Sequence, residues 1–90
     1  MSDIDSIKEA LRTKVVDASQ SPKNVMALAL INNRSYYEQA LGKAAETLVH
    51  IHEGAAAAVL DRMTSEDTVA MVATVIHNLM NPPSRTSRYI

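Results

Sequence analysis

The sequence predicts an all-α fold, a helical hairpin or three-helix arrangement built on one long central helix at about 22–63. Three observations lead there. Apolar residues recur at alternating intervals of three and four along Ala27, Leu30, Arg34, Tyr37, Leu41, Ala44, Leu48, Ile51, Ala55 and Ala58, with Arg34 alone interrupting the pattern. A 3.5-residue repeat is the seam of a helix that lies lengthwise against other helices. No polar–apolar alternation of the kind a half-buried strand needs is sustained anywhere. Alanine supplies much of the apolar content while Phe and Trp are absent, a composition that brings helix backbones close but buries little area per residue.

The first helix is expected at about 3–18. Ile4, Ile7, Leu11, Val15 and Ala18 mark its apolar side, and Ser2 with Asp5 and Ser6 with Glu9 have capping-box spacing. Lys8, Glu9, Arg12 and Lys14 fall on the other side, which reads as a solvated face. Ser19-Gln20-Ser21-Pro22 breaks the period, and Ser21 is placed to cap a second helix whose first position is Pro22. That turn is short, so the first two helices should fold back on each other.

From Pro22 the helical pattern persists to about Met63, roughly 60 Å of helix if unbroken. Gly42 and Gly54 lie inside it, each disfavoured by about 1 kcal/mol relative to Ala. The favoured reading is one long helix with a bend at Gly54 and close approach of a neighbouring helix at both glycines; a real break at Gly54 is the alternative. Thr64 then caps a third helix at about 65–80, with Glu66 and Asp67 complementing its dipole and Val69, Val72, Ala73, Ile76, Leu79 and Met80 along one face. Asn81-Pro82-Pro83 stops it. The chain thus divides into one helical domain, 1–81, and an extended or disordered segment, 82–90, in which Arg85, Arg88, Tyr89 and Ile90 form a candidate anchor for a partner.

The composition narrows function more by exclusion than by assignment. Nine basic against ten acidic residues give a net charge of −1, which builds in neither capture of nucleic acid nor repulsion between copies. Lys8, Arg12, Lys14, Lys23, Arg34, Arg85 and Arg88 are scattered among acids, and the third helix has no Lys or Arg, so it is not a recognition helix. Nucleic acid is therefore not an expected partner. The absence of cysteine fits a reducing compartment. The longest apolar run, Val25 to Ile31, is far shorter than a membrane span, and the Asp3 and Asp5 region does not read as a secretory signal. Localisation stays open between the cytoplasm and a larger assembly.

Candidate chemical sites are sparse. His50 and His52, two apart, point to opposite sides of a helix, and Glu46 with His50 supplies only two ligands, with His77 distant. No glycine-rich phosphate loop, nucleophile elbow or metal cluster is present in the sequence. Neither an enzymatic reaction nor a cofactor is expected. Arg34, Tyr36 and Tyr37 instead combine the residue types that dominate protein interfaces, and a charge at a seam position calls for a partner such as Glu38 or an acid on another copy.

In layout, the short first helix, the Ser21-Pro22 turn and the long stretch through Arg34-Ser35-Tyr36-Tyr37 resemble the small helical subunits that polymerise in bacterial secretion needles. Met26-Ala27-Leu28 with Gln39-Ala40-Leu41-Gly42 is similar to small proteins of coiled bacterial protein ribbons. Each resemblance covers at most about half the chain and is one of form, with no functional residue carried across. The expected function is a small structural or assembly protein that self-associates through the ladder from Ala27 to Ala58. The alternative is a compact binding module, of inhibitor, adaptor or chaperone type, that acts on another protein.

Overall fold

The computed structural model describes residues 3–82, and among them it contains five helices and no strand. α1 spans Asp3–Ser19, α2 Val25–Asn32, α3 Arg34–Ile51, α4 Ala56–Arg62 and α5 Ser65–Met80. The all-α class and the packing around a central helix, α3, agree with the sequence expectation. α1, α3 and α5 pack on one another, while α2 and α4 are short pieces laid along them. The resulting shape is 44 × 34 × 21 Å.

Each long helix contributes one stripe to the core. α1 supplies Ile7, Leu11 and Val15, α3 supplies Leu41, Ala44, Ala45 and Leu48, and α5 supplies Val69, Val72 and Ile76. These residues recur at three and four positions, so each stripe stays on one side of its helix. The alanines at Ala40, Ala44 and Ala45 are fully or nearly fully buried. Burying Ala rather than larger side chains lets α3 sit close to α1 and α5.

The stretch 22–63 is not one rod. It divides at Asn33, which corrects the expectation of an unbroken helix, and again at 52–55, the break at Gly54 that stood as the alternative. Asn33 closes α2 and opens α3 by itself. Its N–H donates to the carbonyls of Ala29 and Leu30, both at 3.1 Å, and its own carbonyl accepts from Tyr37 N–H at 2.9 Å. Its backbone, φ −85 and ψ 69, lies in the inverse γ-turn region rather than the helical one. The direction of the chain changes there with its hydrogen bonds satisfied. At the second division His52 donates to the Leu48 carbonyl at 2.9 Å and Gly54 takes φ +73, a left-handed conformation open to glycine at little cost.

Close approach does not explain the glycines. A Cβ added at Gly42 or at Gly54 would meet nothing within 4 Å. Gly54 is required by its backbone angle, and Gly42 is a tolerated interior glycine. The first turn also differs from expectation. Ser21, Pro22 and Lys23 belong to the connection, and α2 is capped by Asn24, whose side-chain oxygen accepts from Ala27 N–H at 3.1 Å. Thr64 caps α5 as its position suggests, accepting from Asp67 N–H at 2.9 Å. α5 therefore starts and stops where the sequence places it.

Candidate functional site

The seam residues do not form one free surface. Ala27, Leu30, Tyr37, Leu41, Ala44 and Leu48 are buried within the chain's own core. Arg34, Ile51, Ala55 and Ala58 are exposed. The division results from the two breaks: the first six face α1 and α5, while beyond Leu48 the chain turns away at Gly54. The greasy edge is thus covered by the same chain, and using it to meet another copy would require opening the fold. The anchor residues Arg85, Arg88, Tyr89 and Ile90 lie outside the described residues.

Arg34 is not a buried charge, and Glu38 is not its partner. Glu38 instead receives the Arg12 guanidinium across the α1–α3 boundary, Nη2 donating to Oε1 at 2.9 Å and Nη1 to Oε2. Lys8 Nζ lies 3.4 Å from Glu38 Oε1, and Arg12 Nε donates to Glu9 Oε1 at 3.2 Å. The Arg12 hydrogen bonds hold the Glu38 carboxyl down to about 2. Lys14 reaches the Met63 carbonyl, where α4 ends. The α1 face expected to be solvated therefore ties α1 to α3 and α4. Below it, Tyr37 Oη is buried with no hydrogen-bond partner. Burial pushes the phenol upward, opposed by the nearby Arg12 charge.

The surface that stands out is α2. Its sequence, Val-Met-Ala-Leu-Ala-Leu-Ile-Asn, is apolar nearly all round, and only Ala27 and Leu30 are buried. Val25 is 70% exposed, Met26 54% and Leu28 41%, and Met80 at the end of α5 is 53% exposed. Val25, Leu28 and Ala29 share one helix face, since residues three and four apart are neighbours. A helix that is apolar all round normally has neighbours on every side. Periodicity missed this face because a continuous apolar run has no period; the run Val25 to Ile31 itself was the available signal.

α2 lies alongside α5 and runs in the same direction. Near its start, a groove of about 610 Å³ brings Asp17, Ala18, Lys23 and Met26 against Glu66 and Val69. At its far end, Asn33 Nδ2 approaches Met80 Sδ at 3.9 Å. The groove has an apolar floor and a charged rim. Asp17 and Glu66 are both exposed, and neither is in an ion pair among the described residues.

Among the described residues no group of three or more His, Cys, Asp or Glu is placed to hold a metal ion. No helix among them is long and apolar enough to cross a membrane. The class that fold and surface define is a closed all-α bundle with one exposed apolar helix. No family model matches the chain, and neither does any curated protein or solved structure. The layout likened to polymerising needle subunits is not that of the folded chain, whose second stretch divides at Asn33 and Gly54.

Proposed function

We propose that this chain is a compact helical binding module that acts by docking another protein on the outer face of α2. The observation that carries the reading is the contrast between the two apolar surfaces. The ladder on α3 is consumed internally, whereas Val25, Met26 and Leu28 are exposed on α2 and Met80 is exposed beside its far end. Contiguous exposed apolar patches on small domains mark interaction sites, and an apolar helix flanked by a charged rim is the usual anatomy of one. The reading assigns the chain no reaction and no cofactor.

Self-association through the same face is the second reading. A net charge of −1 puts little repulsion between copies, and assembly would then use α2 instead of the α3 ladder. Val25→Asp with Leu28→Asp tests both, because the two side chains are exposed and the fold should persist. The native protein should hold a stoichiometric partner or a second copy by native mass, and the double variant should lose it with unchanged helicity. A native chain that stays monomeric and captures no stoichiometric partner from its host at micromolar concentration overturns both readings.

A further inference from the structure

A single residue, Asn33, separates α2 from α3, and its backbone is one rotation away from a helix. Its φ of −85 lies within the right-handed helical range, whereas its ψ of 69 lies outside. Turning that one angle to about −42 would make 25–51 a continuous helix, about 40 Å long at 1.5 Å per residue. The bonds that flank the turn are already helical: Asn33 N–H donates to the Ala29 carbonyl at 3.1 Å and Tyr37 N–H to the Asn33 carbonyl at 2.9 Å. Straightening would let the N–H groups of Arg34 and Ser35 donate to the carbonyls of Leu30 and Ile31. Tyr36 N–H would exchange the Asn33 carbonyl, now at 3.2 Å, for that of Asn32.

The apolar ladder also stays in phase across the turn. Leu30, Arg34, Tyr37 and Leu41 keep the three-and-four spacing although the helix divides between the first two. A straight segment would carry Ala27 and Leu30 in line with Leu41 and Leu48. One molecule alone has no use for that form. α2 is joined to α1 by the short connection 20–24, and swinging both helices off the bundle would bare Ile7, Leu11 and Val15 together with the α3 and α5 stripes they cover. A second copy opened at the same place supplies the missing surfaces. Each arm of α1 and α2 would pack on the other copy's α3 and α5 through contacts the closed chain already makes, so no new complementary surface is required.

We infer that Asn33 is a hinge through which two copies exchange their α1–α2 arms, giving a dimer in which 25–51 is one helix in each chain and Arg12 of one copy meets Glu38 of the other. The inference goes beyond the docking face on α2 and does not rest on it. Val25 and Leu28 are exposed in the closed chain and take no part in the exchanged contacts, so Val25→Asp with Leu28→Asp leaves the exchange intact.

The test refolds the full chain from denaturant over a range of concentrations and reads native mass and cross-links. Lys8 Nζ lies 3.4 Å from Glu38 Oε1, so a carbodiimide can join the two side chains directly as an amide. In an equal mixture of light and isotope-labelled chains refolded together, a closed monomer gives linked peptides that are wholly light or wholly heavy. An exchanged dimer also gives hybrids. Asn33→Ala should dimerise about thirtyfold more tightly than Asn33→Gly, because the two hinges of a dimer each gain the helix preference of alanine over glycine, and its dimer should carry the hybrid link. An Asn33→Ala chain that is monomeric at every concentration, equal affinities for the two variants, or a dimer whose Lys8–Glu38 links are never hybrid overturns the hinge. The last of these is the signature of side-by-side association through the α2 face. Should Asn33→Ala lose its helical signal, the native chain decides: its hybrid fraction must rise with refolding concentration, and the absence of hybrids throughout overturns the exchange.

Discussion

Arg12 on α1 and Glu38 on α3 form a two-pronged pair across 26 positions of sequence, with Nη2 donating to Oε1 at 2.9 Å. Lys8 adds a second cation to the same carboxylate, at 3.4 Å from Oε1. The Glu38 side chain is 54% exposed, so solvent screens the cluster and its contribution is held to about 1 kcal/mol or less. The pair orients α1 on α3 more than it stabilises the bundle.

The acid response comes from the same carboxylate. Its folded value, about 2, lies below the ordinary 4.5, so its contribution is complete above pH 4.5 and fades as pH falls toward 2. Denaturant midpoints measured across this window should decline in the native chain. In Glu38→Gln the decline should be shallower, and the difference at neutral pH should shrink in high salt. An unchanged slope would remove Glu38 from the account.

Tyr37 should behave in the opposite sense at high pH. Its Oη is buried without a hydrogen-bond partner, and an orphaned buried hydroxyl disfavours folding by about 1–3 kcal/mol. Tyr37→Phe should therefore be neutral or stabilising by about 1 kcal/mol in urea unfolding. The phenol is pushed above its ordinary value of 10 by burial. Its contribution is thus present below that value and lost as pH rises past it. The alkaline loss should be smaller in Tyr37→Phe.

Substitutions in the α3 ladder should unfold the chain rather than dissociate an assembly. Leu41 is fully buried against the stripes of α1 and α5. Leu41→Ala should reduce stability by about 2–5 kcal/mol, the range for truncating a buried leucine. Leu41→Asp places a charge without a partner in the same position and should abolish the helical signal in circular dichroism. Retained helicity with a smaller native mass would return the ladder to an intermolecular role.

Elements were legible where local chemistry and packing agree. α5 has a hydroxyl cap, acids in its first turn and prolines after its end, so its bounds can be read from residue types alone. The all-α class and the core stripes Ile7, Leu11, Val15 and Leu41, Leu48 come from the three-and-four spacing. The break at Asn33 was not legible. Asparagine disfavours a helix interior only slightly, and the turn there goes with the packing of α2 on α1 and α5. The ladder could not say which molecule covers it, because a 3.5-residue repeat is satisfied equally by a helix of the same chain or of another. The exposed face of α2 was hidden for the opposite reason, having apolar residues on every side.

The sharpest local test lies at Gly54, where φ is +73 and no atom stands within 4 Å of an added Cβ. Space is therefore not the obstacle to a side chain, and any penalty must come from the backbone. A left-handed conformation disfavours an L-residue by about 1–2 kcal/mol, and Gly54→Ala should lower stability by that amount. Helix propensity pulls the other way: alanine at 54 would extend the run Ala55 to Ala58 and favour joining α3 to α4. Joining them would straighten the chain at the point where α4 turns to place Ala56 and Leu60 in the core, so the loss of their burial opposes it. Gly54→Asn, which tolerates the left-handed region better than alanine, should recover part of the loss at equal bulk or greater. If alanine and asparagine were equally destabilising, or if neither mattered, the turn at Gly54 would not be what directs α4 onto the bundle.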